Sequence, residues 1–173
     1  IKPNLLSQDE ALSLVETTVK KSEAEGIVVS LSNDESSLSR YSENQISQNI
    51  TKTKFELNIT SYFGTRSATA STTELDPDAI TATIRRSEEL ARIAPQDPEW
   101  VPLLEPQEYE KRTPAFDELT ATISPLERGK IVQQVCAMSA KAGVDGSGTL
   151  STNTSLGAIA NSVGLCACNK YTK

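Results

Sequence analysis

Leu38-Ser39-Arg40-Tyr41-Ser42-Glu43-Asn44-Gln45-Ile46-Ser47-Gln48-Asn49 opens the stretch whose reading decides the fold. It continues through Lys54-Phe55-Glu56-Leu57-Asn58-Ile59-Thr60-Ser61-Tyr62-Phe63, where Phe55, Leu57, Ile59 and Ser61 alternate with polar neighbours. Strict alternation places one face on a core and the other in water, as in an antiparallel strand. Gly64-Thr65 supplies a turn, and Arg66 to Thr73 returns as a further strand. Asp76-Pro77 then reads as an N-cap followed by proline in the first helical turn, and the helix ends before Pro95, with Ile80, Ile84 and Leu90-Ala91 expected inward.

Working outward, Ser7 and Glu10 form a capping box for a helix expected over Gln8 to Glu25, stopped by Gly26. Gly26 to Asn33 reads as a strand and Asn33-Asp34-Glu35-Ser36-Ser37 as turn chemistry. Leu38 to Asn49 is then a second strand, with an irregularity near Ser42-Glu43-Asn44. Residues 95–123 hold five prolines, Pro95, Pro98, Pro102, Pro106 and Pro114. Large side chains at Trp100, Leu103, Leu104 and Tyr109 make this an ordered surface connection rather than a flexible linker.

Ser124-Pro125-Leu126-Glu127 starts another capped helix, with Ile131, Val132, Val135 and Met138 as its expected core face and Gly143 as its stop. Gly146 to Thr152 and Ser155 to Cys168 read as strands turning at Thr152-Asn153-Thr154. The order helix, glycine, strand, turn, strand thus occurs twice, near Gln8 to Asn49 and near Glu127 to Cys168. The expected architecture is a single α+β domain over 1–173: a mostly antiparallel sheet with helices on one face. Internal helix–strand–strand duplication would give sub-repeats at 8–94 and 124–168, joined by the proline-rich connection.

Composition excludes several functions. The 173 residues carry no histidine, so a His-based active site cannot lie within them. Net charge is −6 with no basic cluster, which disfavours a grip on nucleic-acid phosphates. No apolar run is long enough to span a bilayer, and Ile1-Lys2-Pro3-Asn4 leads directly towards a capped helix rather than a signal peptide, so a cytoplasmic location is expected. Cys136, Cys166 and Cys168 are an odd set, poorly suited to a disulfide scaffold, and are expected to be packing residues rather than metal ligands. The sequons at Asn49, Asn58 and Asn153 read as chance in Thr/Ser-rich strands. Gly143-Val144-Asp145-Gly146-Ser147-Gly148 precedes a strand rather than opening a helix, so it is a turn and not a phosphate cradle. No nucleophile elbow or phosphate loop is present.

Arg40, Asn44 and Arg66 are the candidate contacts for a peptide or partner. Each arginine lies on a strand beside a turn and could anchor a carboxylate. A surface ion pair with Glu43 or Glu74 is the plainer reading. Asn44 and Asn161 suit left-handed or bulge positions, and Gly64 and Gly143 are structural turn residues.

Taken together, Ser39-Arg40-Tyr41, Asn44, Ile46, Gln48, Phe63-Gly64, Arg66, Ala68, Glu89-Leu90-Ala91-Arg92, Pro95 through Trp100, Ser124-Pro125, Glu127-Arg128 and Asn161 to Gly164 resemble, in order, the N-terminal domain of the TldD/PmbA family. That family is also labelled modulators of DNA gyrase. The resemblance implies a metallopeptidase-related, two-subunit assembly acting on peptides or unfolded proteins. Its zinc is held by a His-Glu-x-x-x-His helix that this chain lacks. The chain would then be a non-catalytic domain of a longer protein, helping to form the substrate chamber and the subunit interface, with no cofactor of its own. Either its parent carries the zinc motif further on, or it belongs to the subunit type without the motif; the second is preferred. A stand-alone interaction or oligomerisation module without a peptidase link is the alternative. A DNA-binding modulator stands third, weakened by the −6 charge.

Overall fold

The computed structural model describes residues 5–109 and 115–173. The expected lead-in at residues 1–4 and Pro114 of the proline-rich connection lie outside the described residues. The elements are α1 (Gln8–Lys20), β1 (Gly26–Ser42), β2 (Gln45–Phe63), β3 (Arg66–Thr72), α2 (Pro77–Ile93), α3 (Glu118–Thr122), α4 (Pro125–Lys141), β4 (Gly148–Asn161) and β5 (Cys166–Thr172). The strands form one antiparallel sheet in the order β3-β2-β1-β4-β5. The α+β class is as expected.

The helices share one face of the sheet. On β1, Ile27, Val29 and Leu31 point to that face, and their partners Ile59 and Leu57 on β2 and Ala160 and Ala158 on β4 point the same way. Ala11 and Val15 of α1 and Ile80 and Ile84 of α2 close over them to form the core. Further along β1 the same face becomes polar at Ser37 and Ser39, both buried, and there α4 covers it. Arg128 of α4 reaches Asn49, which stands opposite Ser39. The helix–strand–strand order recurs as α1-β1-β2 and α4-β4-β5. The two units meet where β1 and β4 pair antiparallel.

Several boundaries differ from the sequence reading. Asn33 to Ser37 is no turn but the middle of β1. The polar run is tolerated because it pairs on both sides, Asp34 and Ser36 facing Lys54 and Lys52, and Glu35 and Ser37 facing Thr154 and Thr152. Asn33 is buried and bridges Leu6 N–H (2.9 Å) and the Lys54 carbonyl (3.1 Å). The expected strand over Leu38 to Asn49 is instead a hairpin, because Glu43 and Asn44 have φ of 50° and 58° and reverse the chain. The register shift between Arg40 and Tyr41 leaves Ser47 as the extra residue of a bulge. Thr152-Asn153-Thr154 is also continuous strand, and the turn comes later, after Asn161.

The helices differ at their ends and faces. α1 stops at Lys20, five residues early, and Gly26 opens β1 rather than closing the helix. The intervening chain is tied down by buried Glu88 of α2, whose carboxylate accepts from Ser22 Oγ (2.6 Å) and Glu23 N–H (2.8 Å). On α2, Ser87 and Glu88 face inward with Ile80, Ile84 and Ala91, while Leu90 is exposed. On α4 only Arg128, Val132 and Cys136 are buried; Ile131, Val135 and Met138, expected in the core, are exposed. The connection contains the short helix α3, and of the four large side chains expected to pin it, Leu103 is half-buried, whereas Trp100, Leu104 and Tyr109 are exposed. Its backbone is held, however: Asn161 Nδ2 donates to the Leu104 carbonyl at 2.8 Å.

Both capping boxes form as read. Glu10 accepts from Ser7 N–H at 2.7 Å, and Glu127 from Ser124 N–H at 2.8 Å. These backbone hydrogen bonds, with those to the cap hydroxyls, hold both carboxyls below the usual 4.5. A carboxyl whose pKa is lower folded than unfolded stabilises the fold above the unfolded value, and the contribution disappears as pH falls through the folded value. Stability is therefore expected to decline as pH falls below about 4.5. A Glu10→Gln/Glu127→Gln double variant, which keeps the acceptors but cannot titrate, should flatten that acid limb in urea titrations at stepped pH.

Candidate functional site

The expected contacts fall in two separate places. Arg40 and Asn44 sit at the β1–β2 hairpin, whereas Arg66 lies at the start of β3, beside the C-terminus of α2. Asn44 is a structural clasp. Its left-handed φ completes the turn, its Nδ2 donates to the Val144 carbonyl (2.8 Å), its Oδ1 accepts from Gly146 N–H (2.9 Å), and its own N–H donates to the Gly146 carbonyl (3.2 Å). Asparagine suits the place because it tolerates positive φ and offers both a donor and an acceptor. Glycine keeps this approach close: a Cβ on Gly146 would lie 2.6 Å from Ser139 Oγ and 3.1 Å from Asn44 Oδ1, so those side chains would have to shift. The glycine-rich stretch is thus a docking loop for the hairpin tip, and Gly143 enters it with φ of 71°.

Arg40 is exposed, and its guanidinium meets no partner among the described residues. Arg66 is committed. It donates Nη1 to the Arg92 carbonyl at 2.9 Å, at the end of α2, where a cation also meets the negative end of the helix dipole. Neither forms an ion pair with Glu43 or Glu74 among the described residues. Gly64 turns the β2–β3 hairpin with φ of 60°. Asn161 does not adopt positive φ. Buried, it folds its Oδ1 over the following turn to accept from Val163 N–H (3.1 Å) and Leu165 N–H (2.9 Å).

The polar, Thr/Ser-rich strands suggest an exposed sheet edge in the sequence, and the structure locates one on β2. β3 pairs only with Leu57 to Phe63 of β2. Residues Gln45 to Glu56, apart from the bulged Ser47, pair with β1 on one side and, among the described residues, with no strand on the other. That leaves about 40 Å of unpaired edge at 3.4 Å per residue, with Gln45 to Asn49 and Thr51 to Lys54 exposed. The sequence reading has strands at Leu38 to Asn49 and Lys54 to Phe63; the structure joins Gln45 to Phe63 into one strand longer than β3 can pair.

The chain's own residues do not fit a zinc site. Among the described residues no group of three or more His, Cys, Asp or Glu could hold a metal ion. Burial, then the neighbouring Glu16, pushes the Cys166 thiol up to about 11, and burial raises Cys168. Protonated thiols are poor ligands and nucleophiles, so these cysteines act as packing against the core. No helix among the described residues is long and apolar enough to cross a membrane.

Three solved structures share this fold. TldE from Thermococcus kodakarensis matches with a TM-score of 0.80 and 16% identity over 92% of this chain and 36% of that one. A Bacteroides thetaiotaomicron protein labelled a candidate modulator of DNA gyrase matches at 0.80 and 15%, over 92% of this chain and 38% of its own. A Thermotoga maritima protein with the same label matches at 0.75 and 14%, over 96% and 38%. No family model and no curated protein matches the sequence. The resemblance read from the sequence is thus borne out in the fold, and the chain spans a little over a third of the length of these structures.

The Asn44 clasp predicts a graded pair of variants. Asn44→Gly keeps the turn but loses the side-chain hydrogen bonds, and is expected to cost about 1 kcal/mol. Asn44→Ala adds the strain of positive φ, a further cost of about 1 kcal/mol. Urea unfolding separates the two, and hydrogen exchange at Gly146 should speed up in both.

Proposed function

We propose that this chain is a non-catalytic domain of a TldD/PmbA-like protein in the cytoplasm. In this reading it helps to enclose the substrate chamber and the subunit interface of a peptidase acting on peptides or unfolded proteins. The observation that carries the reading is the open edge of β2. An extended peptide adds a strand to such an edge through main-chain hydrogen bonds, which asks little of its sequence. That suits substrates recognised for being unfolded. The fold likeness to TldE over 92% of this chain supports the family side of this reading. Zinc, in this proposal, belongs to other parts of the full-length assembly, since the sequence has no histidine.

A second reading, an interaction or oligomerisation module without a peptidase link, is favoured by α4. Ile131, Val135 and Met138 lie three and four residues apart and form an exposed apolar stripe. The two readings predict different behaviour. With the full-length parent and its co-expressed relative, chelator-sensitive hydrolysis of unfolded polypeptide is expected under the first. Hydrogen exchange with bound peptide should then slow the amides within Gln45 to Glu56 by about tenfold or more. Prolines placed along that edge, and shown by circular dichroism to leave the fold intact, should weaken peptide binding. Unchanged exchange and unchanged affinity in every tolerated proline variant would sink the edge as the peptide site. Self-association abolished by Met138→Lys, without peptide binding, would favour the second reading.

A further inference from the structure

A second unpaired edge lies on β4. β5 pairs with β4 from Thr154 to Ala160, and beyond that Lys173 and Asn153 exchange both main-chain hydrogen bonds, at 2.8 and 2.9 Å. Past Asn153, Gly148 to Thr152 pair with β1 on one side and, among the described residues, with no strand on the other. Alternation along an antiparallel strand turns the N–H and C=O of Ser151 and Thr149 outward, as at Asn153. Both residues are exposed. This free edge lies directly in line with β5.

An apolar surface runs beside it. α4 packs over β1 and β2 with Arg128, Val132 and Cys136 towards the sheet. On one flank of that row Gly129 faces β2, since a Cβ there would lie 3.9 Å from Ile46 Cδ1. At 3.6 residues per turn, Ile131, Val135 and Met138 fall on the opposite flank, the one towards β4. All three are exposed, Met138 the most at 72%. Half-buried Leu150 rises from β4 on the same face of the sheet, opposite buried Ser39.

We propose that this edge and flank are covered by the parent polypeptide itself, as a continuation of β5 past Lys173. The proposal rests on the reading above that the chain is part of a longer polypeptide. The structures that share the fold support that reading, since the matched part is 36% to 38% of each. The pair of Lys173 with Asn153 fixes the register. The second and fourth residues after Lys173 then pair with Ser151 and Thr149. The first and third stand on the helix face, opposite Thr152 and Leu150. Those two positions are apolar and close over Leu150 and the α4 flank. A tethered strand is favoured over one from another molecule, because β5 already holds its start in register and little free motion is lost on pairing.

Hydrogen exchange on the full-length parent, read at the Thr149 and Ser151 amides, tests this. Both are expected to exchange at least about tenfold more slowly in the parent than in the protein ending at Lys173. Proline at the second residue after Lys173 removes the N–H that donates to the Ser151 carbonyl. It should return both amides to the faster rate while exchange in the α1–α2 core stays unchanged. Equal rates in the parent and the shorter protein would overturn the proposal and leave the longer-polypeptide reading standing. A reading frame that stops at Lys173 would overturn both. Charged residues at both the first and third positions would contradict the proposal alone. Protection that is already present in the shorter protein and rises with its concentration would assign the edge to a second copy, and would overturn it too.

Discussion

The rest of the structure depends on β1 being paired along nearly its whole length on both sides. From Val28 to Tyr41 each residue faces a partner on β2 and another on β4. A strand in that position leaves no backbone group to water, so it can run through polar sequence without cost to its main-chain hydrogen bonds. The side chains then decide what covers the sheet. Where they are Ile27, Val29 and Leu31, α1 and α2 bury them as an ordinary apolar core. Where they are Ser37 and Ser39, the covering helix must bring polar groups of its own, and α4 brings Arg128. The division between an apolar and a hydroxyl-lined half is thus written on one strand.

That division explains why α4 buries so little of its apolar surface. A helix over a hydroxyl floor gains little from presenting a full aliphatic stripe, so only Val132 and Cys136 flank the arginine inward. Ile131, Val135 and Met138 fall on an adjacent stripe that nothing described here covers. Exposed apolar groups at helical spacing mark an interaction surface more often than chance scatter does. The two halves also differ in hydrogen bonding. The apolar half holds short local links, Ser61 with Ser87 and the Ile84 carbonyl, whereas the polar half joins Ser39, Asn49, Arg128 and the Ile123 carbonyl across two strands and a helix.

What was legible in the sequence follows from range. Caps are local: Ser7 with Glu10, Asp76 with Pro77, and Ser124 with Glu127 need only neighbours three residues away, and each forms as read. The alternation of Phe55 to Ser61 is local too, and its faces came out correctly. The positions of the turns were not local. Asn33 to Ser37 has the composition of a loop, but strands on both sides hold it extended, and Asn33 serves as a buried bridge to Leu6 and Lys54. Glu43-Asn44 has weaker turn composition, yet reverses the chain because Asn44 is clasped by Gly146 from a loop a hundred residues away. Arg66 illustrates the same limit at the candidate site. Its position beside a turn was readable, but its engagement with the Arg92 carbonyl depended on where α2 ends in space.

The open edge of β2 is a consequence of the same central pairing. β1 is long because it must pair with β2 on one side and β4 on the other, and β2 follows it outward for 19 residues. β3 has only seven residues, tethered to β2 by the Gly64 turn, so it can cover only the end nearest that turn. Unpaired edges invite strand addition, and proteins usually blunt them with charge, bulges or covering segments. Here the bulge at Ser47 and the lysines at 52 and 54 moderate the edge without closing it. Its backbone groups are already extended and held from behind by β1, so a peptide that pairs there bears nearly all the ordering cost itself. An edge of this kind offers main-chain rather than side-chain hydrogen bonds, so the polar, Thr/Ser-rich sequence of β2 places little demand on what could pair with it.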